Sequence, residues 1–244
     1  MSFDLSGQRA LVTGSTRGIG LALARALAAA GARVAINGRT AEAVEAVAAG
    51  IENATAAPFD VTDEAAVATA VVALGPVDVL VNNAGMTLRK SLVDLELDDW
   101  QHMLDVNLTS AFLLARAVAP GMIERGRGKI VNVCSVMSEL ARPTTGAYAA
   151  TKGALKMLTR SMCAEWAQHG IQANGIAPGY FRTDLNEALR TDAEFDAWLR
   201  ARVPAGRWGE PDELGGAVVF LASSASDFVN GQLLVVDGGL SAVV

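Results

Sequence analysis

Tyr148 and Lys152 stand four residues apart in a stretch, residues 147–168, whose composition is helical. An i,i+4 pair shares one helix face. The chemistry that suits such a pair is proton transfer at a carbonyl receiving hydride. A phenol has a reference pKa of about 10. A neighbouring ammonium favours the phenolate and brings the group toward working pH. Ser135 lies thirteen residues before Tyr148 and follows the apolar run 129–134. At the C-terminal edge of a strand its hydroxyl can hydrogen-bond a substrate oxygen. A Tyr-x-x-x-Lys pair by itself is usually a surface coincidence, so its weight depends on what surrounds it.

A second group of residues suits phosphate. Thr13-Gly14-Ser15-Thr16-Arg17-Gly18-Ile19-Gly20 joins a strand-like run (9–13) to a helical one (19–30). Glycines let the backbone approach a pyrophosphate, and a helix N-terminus offers free N–H groups and a favourable dipole. The spacing is Gly-x-x-x-Gly-x-Gly, not the commoner Gly-x-Gly-x-x-Gly. An acidic residue about 20 positions on would accept from a ribose 2′-hydroxyl and repel a 2′-phosphate. That region reads Asn37-Gly38-Arg39-Thr40, with no carboxylate. Arg39 and Arg17 together suit a 2′-phosphate, so NADP(H) is favoured over NAD(H).

The elements that must carry these residues alternate. Strands are expected at 9–13, 33–37, 56–59, 77–81, 129–134, 171–177 and 233–236. Helices are expected at 19–30, 41–49, 63–74, 98–125, 147–168, 187–202 and 211–223. Such alternation implies parallel pairing through right-handed crossovers. The fold class is α/β, one doubly wound Rossmann-type sheet of seven parallel strands. No Pro/Ser-rich linker, charge block or repeat divides the chain, so residues 1–244 read as one domain. Residues 178–185 look like a long functional loop.

Composition excludes other classes. Of 244 residues, 51% are apolar but only 5% aromatic, so the core must rest on Ala, Val, Leu and Ile. The net charge of −6 and the lack of a long basic block argue against nucleic-acid partners. No uncharged run reaches the roughly 18 residues of a membrane span. The start, Met1-Ser2-Phe3-Asp4, carries no leader pattern. Cys134 and Cys163, far apart, suit a reducing cytoplasm. His102 and His169 lack partners at metal-ligand spacing, so no metal site is expected and a surface or capping role is assigned. Cys134, with no nearby His, reads as a buried small residue, not a nucleophile.

The combination resembles the short-chain dehydrogenase/reductase family. Thr13 to Gly20 matches its glycine motif, Asn82-Asn83-Ala84-Gly85 its motif after the fourth strand, and Asn107, Ser135, Tyr148 and Lys152 its catalytic tetrad. Pro178-Gly179 with Thr183 matches its nicotinamide turn. The resemblance spans about residues 5 to 240. It implies the strand order 3-2-1-4-5-6-7, a homotetramer, and roles residue by residue. Tyr148 would be the general acid in reduction and the base in oxidation. Lys152 would lower its pKa and hold the nicotinamide ribose, and Ser135 would orient the carbonyl. Asn107 would disturb its helix and hold a water that relays protons to Lys152. Asp60 and Val61 would meet adenine, and Asn83, Ala84 and Gly85 the centre of the cofactor. Phe181 and Thr183 would meet the carboxamide and phosphate.

The stretches 132–140, 176–183, 205–209 and 226–231 are similar to a narrower group in that family, the gluconate 5-dehydrogenases. That similarity implies a sugar-acid substrate. Such a substrate needs a cation and several hydroxyl partners. Arg89 starts near the C-terminal edge of the fourth strand, where ligands bind in these sheets. Ser138, Glu139 and Arg142 follow Ser135 on the other flank, and Tyr180 adds a hydroxyl. Arg89 or Arg142 is expected to pair with the carboxylate. One alternative is a 3-oxoacyl-carrier-protein reductase, which would need a basic docking surface. The one dense basic cluster, Arg125, Arg127 and Lys129, precedes the fifth strand and should lie at the opposite sheet edge. A second alternative is a non-catalytic NADP-binding redox sensor, which often lacks the Tyr or Lys. Trp100, Trp166, Trp198 and Trp208 read as core or subunit contacts, with Trp198 and Trp208 as alternative covers of the site. Residues 183–202 read as a lid, and 233–236 as an apolar edge strand that invites pairing.

Overall fold

The computed structural model describes residues 2–243; Met1 and Val244 lie outside them. Seven parallel strands form one sheet in the order β3-β2-β1-β4-β5-β6-β7. They are β1 (Arg9–Val12), β2 (Arg33–Gly38), β3 (Ala54–Pro58), β4 (Val79–Asn82), β5 (Gly128–Val133), β6 (Ile171–Pro178) and β7 (Leu233–Val236). The helices between them are α1 (Gly18–Ala29), α2 (Ala41–Ala49), α3 (Glu64–Leu74), α4 (Leu97–Leu104), α5 (Ser110–Arg125), α6 (Gly146–Trp166), α7 (Glu187–Arg190), α8 (Ala193–Arg202) and α9 (Gly215–Ala222).

The strands are apolar on both faces because helices cover both. Successive side chains alternate between faces. Ala10, Val12, Val79 and Val81 meet Leu23 and Leu27 of α1 and Val218 and Leu221 of α9. Leu11, Leu80 and Ile130 meet Val67 of α3, Leu114, Val118 and Met122 of α5 and Met162 of α6. Small aliphatic residues suffice because each closely packed Leu or Val contributes about 1.5–3 kcal/mol. Two buried amides cross the middle of the sheet. Asn82 donates to Asn132 at 2.8 Å, and Asn132 donates to Thr159 at 2.8 Å. This ties β4, β5 and α6 together beneath Ser135 and Tyr148.

The expected helix at 98–125 is interrupted. A five-residue π turn, Asp105–Thr109, separates α4 from α5. The whole run Leu97–Arg125 is long and apolar enough to cross a membrane by length and composition alone. Leu113, Leu114, Val118 and Met122 instead pack on the sheet, Leu97 and Phe112 are exposed, and the run carries Asp98, Asp99, Asp105, Arg116, Glu124 and Arg125. The expected helix at 187–202 is two helices. Asp192 caps α8 by accepting from the N–H groups of Glu194 and Phe195 at 3.0 and 3.1 Å, which favours a new start over continuation. The helix expected from 211 opens as a tight turn, Pro211–Leu214, before α9. β7 is a sheet edge, as expected, with Leu234 and Val235 partly exposed.

Candidate active site

The strand order reverses between β1 and β4, where crossovers leave in opposite directions and open a crevice at the C-terminal strand ends. A cleft of about 860 Å³ runs across that point, lined from Gly14 to Leu189 by loops that follow the strands. The glycine turn forms its floor. Gly14 and Gly18 adopt left-handed backbone, with φ of 59° and 56°. A Cβ on Gly20 would fall 2.3 Å from Asn83 Nδ2 and 2.4 Å from the Gly14 carbonyl oxygen. Glycine is therefore required for the turn to fold back on β4. The Thr13 hydroxyl accepts from the N–H groups of Asn83 and Ala84 at 2.9 and 3.0 Å. Asn83 in turn donates to the carbonyls of Thr13 and Gly14. The β1 and β4 loops are thus locked together, with the free N-terminus of α1 facing the cleft. This cradle fits a dinucleotide pyrophosphate.

At one end of the cleft lie Thr16, Arg17, Ile19, Gly38, Arg39, Asp60 and Val61. The Asp60 carboxylate is held below the usual range by hydrogen bonds from Thr62 N–H and hydroxyl, with Arg39 adding to the effect. Arg17 reaches 3.4 Å from Asp184, and both side chains are mostly exposed. No carboxylate follows β2, so the two guanidiniums at this end suit a 2′-phosphate.

Tyr148 and Lys152 line the middle of the cleft on one face of α6, with Ser135 opposite at the end of β5. Lys152 is 4% exposed. Its Nζ donates to the Val133 carbonyl at 2.7 Å and lies 5.8 Å from the centre of the Tyr148 ring. Burial draws the Lys152 ammonium down to about 8, opposed by Cys134. Burial also raises the Tyr148 phenol, opposed by the Ser135 hydroxyl. The expected lowering of the phenol by Lys152 is not what sets its pKa here: burial raises it, and the Ser135 hydroxyl alone opposes. Cys134 is pushed up to about 11 by burial, which leaves it a neutral thiol.

The other end of the cleft holds Arg89, Arg142 and Tyr180. Arg142 donates to the Tyr180 hydroxyl at 3.2 Å. Burial, then the like charge of Arg142, lowers the Arg89 pKa, while Tyr180 opposes. Among the described residues neither arginine has a carboxylate partner. The loops bearing them are joined where the Lys90 N–H donates to the Thr144 carbonyl at 3.1 Å. Thr144 has φ of 69°, a left-handed conformation that costs a β-branched residue about 1–3 kcal/mol.

The cleft also receives Pro178, Gly179, Phe181 and Thr183, as expected, together with Gly85. Five residues singled out in the sequence have side chains held by other parts of the chain, Asn107 among them in a helix disturbed as expected. Ser15 is fully buried; its hydroxyl donates to Val12 and accepts from Asn37 N–H. Asn37 reaches the cleft wall, but its amide is spent on Gly14, Ala57 and Phe59. Ser138 accepts from Ser135 N–H and donates to the Lys152 carbonyl, away from the cleft. Glu139 turns outward to Lys156 at 2.6 Å. Asn107 sits in the π turn behind the site. It accepts from Met86 N–H at 2.7 Å and donates to the Met86 carbonyl and the Thr151 hydroxyl. It clamps the β4 loop to α6, and Thr151 passes the contact to the Tyr148 carbonyl.

Other residues line the cleft without a sequence signal. His102, expected in a surface or capping role, stands at the cleft rim near Asp60, one helical turn before Val106. Thr87, Leu88, Met137 and Leu189 also contribute. Trp208 is buried, its indole donating to Asp196 at 2.6 Å, and packs against Tyr180. Trp198 is half-exposed on α8.

Comparisons with known proteins agree with this layout. The family model described as Enoyl-(Acyl carrier protein) reductase matches residues 14–241. A gluconate 5-dehydrogenase of Gluconobacter oxydans is 53% identical over 98% of this chain and 96% of its own. The 5-keto-D-gluconate 5-reductase of Escherichia coli K12 is 50% identical over 99% of this chain and 98% of its own. A crystal structure of a gluconate 5-dehydrogenase from Burkholderia cenocepacia J2315, in complex with NADP and tartrate, is 57% identical. It covers 99% of this chain and 98% of that one, with a TM-score of 0.96.

Proposed function

The chain belongs to the short-chain dehydrogenase/reductase family, oxidoreductases that act on CH–OH groups; from that premise we propose that it interconverts gluconate and 5-ketogluconate, or a related sugar acid, with NADP(H). NADP(H), when bound, supplies or accepts the hydride. The glycine turn holds the pyrophosphate, Arg17 and Arg39 hold the 2′-phosphate, and Asp60 and Val61 border the adenine. Ser135 hydrogen-bonds the reacting oxygen, and Tyr148 gives it a proton in reduction or removes one in oxidation. A phenol raised by burial is a competent donor, and the Lys152 ammonium beside it favours return to the phenolate. Asn107 fixes the backbone that carries both.

One observation carries the substrate: Arg89 and Arg142 share the cleft with Tyr148 and have no carboxylate partner among the described residues. A sugar acid supplies that carboxylate and enough hydroxyls for Tyr180 and Thr87. The carrier-protein alternative gains little from the basic cluster. Arg125 approaches Asp78 at 3.9 Å and Lys129 pairs with Asp227 at 2.7 Å, at the opposite end of the strands. Both Tyr148 and Lys152 are present, which weighs against a non-catalytic sensor. The exposed β7 edge supports a homotetramer, and the free thiols of Cys134 and Cys163 suit a reducing cytoplasm.

The test is a panel of gluconate, 5-ketogluconate, neutral polyols and 3-oxoacyl thioesters with NADP(H) and NAD(H), followed by nicotinamide absorbance. Turnover of the sugar acids, with NADP(H) preferred, is expected. Activity confined to acyl thioesters would overturn the reading. Light scattering on the purified protein checks the tetramer.

A further inference from the structure

The guanidinium of Arg142 is held by more than its hydroxyl contact. Its central carbon lies 4.8 Å over the ring of Phe195, a half-buried residue in the first turn of α8. Phe195 is itself fixed by four contacts. Its N–H donates to the Asp192 cap, and its ring meets Trp198 at 5.2 Å, Tyr180 at 5.6 Å and Trp208 at 6.3 Å. Tyr180 and Trp208 pack edge to face at 5.8 Å. The Trp208 indole anchors the group by donating to Asp196. The cage therefore gives Arg142 one π face and one hydroxyl oxygen. Among the described residues no carboxylate neutralises it.

That arrangement is unusual for an arginine. A guanidinium that is only structural finds a carboxylate or several carbonyls. Here the two ligands leave most of its five N–H donors unused by other described residues. A cation over a ring loses mobility but keeps its charge and its outward-facing donors. An arginine so placed is preorganised for a carboxylate, and preorganisation lowers the ordering cost of binding.

We propose that Phe195 is a positioning residue that sets selectivity for carboxylate-bearing substrates by holding Arg142 in the cleft. The inference rests on the sugar-acid reading above. It adds that acid recognition depends on the α8 segment as well as on the loops at the strand ends. Phe195 touches neither substrate nor cofactor in this scheme. Its effect passes through Arg142 and should fall on binding, leaving the chemical step intact.

The experiment is a double-mutant cycle on the full chain. Phe195→Leu keeps apolar volume and removes the π face; Phe195→Tyr keeps both. The readout is the dissociation constant of gluconate for enzyme saturated with NADPH, a non-reacting pair, measured by calorimetry. The KM and kcat for gluconate with NADP+ are measured beside it. Phe195→Leu should weaken gluconate about fivefold, roughly 1 kcal/mol at about 1.4 kcal/mol per tenfold, with kcat within twofold of wild type. Phe195→Tyr should match wild type. In an Arg142→Ala background, Phe195→Leu should add less than a twofold loss. Unchanged affinity in Phe195→Leu, or the same fivefold loss with Arg142 absent, overturns the inference while leaving the sugar-acid reading standing. A wild-type protein that neither binds nor oxidises gluconate overturns both.

Discussion

Lys152 lies beneath Tyr148 with almost no solvent around its ammonium, and that placement opposes folding. Burial brings its pKa from 10.5 to about 8. Between those values the unfolded chain keeps a proton that the folded chain has released, so stability rises as pH climbs from 8 toward 10.5. Below pH 8 both states are protonated and the full penalty is present. The difference of about 2.5 pH units, at about 1.36 kcal/mol each, is on the order of 3 kcal/mol. The bond from Nζ to the Val133 carbonyl offsets about 1 kcal/mol of this. Burial wins, and Lys152→Met should stabilise the protein at pH 7 by about 2 kcal/mol. For a chain of this length that is a rise of about 4–8 °C in melting temperature. Near pH 10 most of the wild-type penalty has gone, so the gap should shrink to zero or change sign. Thermal melts of both proteins at matched concentration, at pH 7 and pH 10, read both numbers. The variant should also lose nearly all turnover, since charge is needed where it is costly. A variant that melts below wild type at pH 7, or a gap that ignores pH, refutes the reasoning.

Three further outcomes follow from the site. Tyr148→Phe should cut kcat by about 10²–10⁴ and leave the NADPH dissociation constant unchanged by fluorescence titration; near-normal turnover would remove Tyr148 as the proton donor. Arg39→Asp should raise the KM for NADP+ by about 10–100-fold, the value of one charge-assisted contact plus its reversal, and leave NAD+ use equal or better. An unchanged cofactor ratio in steady-state kinetics would place the 2′-phosphate elsewhere. Gly20→Ala should abolish NADPH binding and lower the melting temperature, because the new Cβ would fall 2.3 Å from Asn83 and 2.4 Å from the Gly14 carbonyl. Retained nanomolar-to-micromolar binding would show that the turn can move aside.

The sheet was legible in the sequence because its strands are buried on both faces. Runs such as Val77 to Val81 and Ile171 to Ala177 are mostly apolar, broken only by Asp78, Gln172 and Asn174, and helical stretches separate them. The glycine turn and the Tyr148, Lys152 and Ser135 group were legible because spacing along one strand end or one helix face determines where they point. Residues whose roles depend on distant partners were not. Ser138 and Glu139 follow Ser135 closely, but one turns to the α6 backbone and the other to Lys156. Asn37 is drawn inward by carbonyls of β3 and its following residue, some twenty positions away. Phe195 and His102 carry no local pattern, because only the approach of α8 and α4 to the cleft gives them neighbours there. The split between α7 and α8 had a visible signal in Asp192, a good cap residue in the middle of an expected helix.

The π turn at Asp105–Thr109 has a consequence for how the two halves of the long helix can vary. An α-helix advances about 100° per residue, and a π turn holds about one residue more per turn than an α turn. Everything after Thr109 is therefore rotated by about 100° from where a continuous helix would put it. That rotation lets α5 present Ala111, Leu114, Val118 and Met122 inward, while α4 presents Asp99 to Lys90 at 3.6 Å beside the Arg89 loop. Asn107 occupies the offset itself. One rod thus obeys two phases, with the core reading one and the loops at the mouth of the cleft the other. Changes in α4 can retune the mouth of the cleft without disturbing the sheet, whereas losing a single residue from the turn would force one phase on both ends.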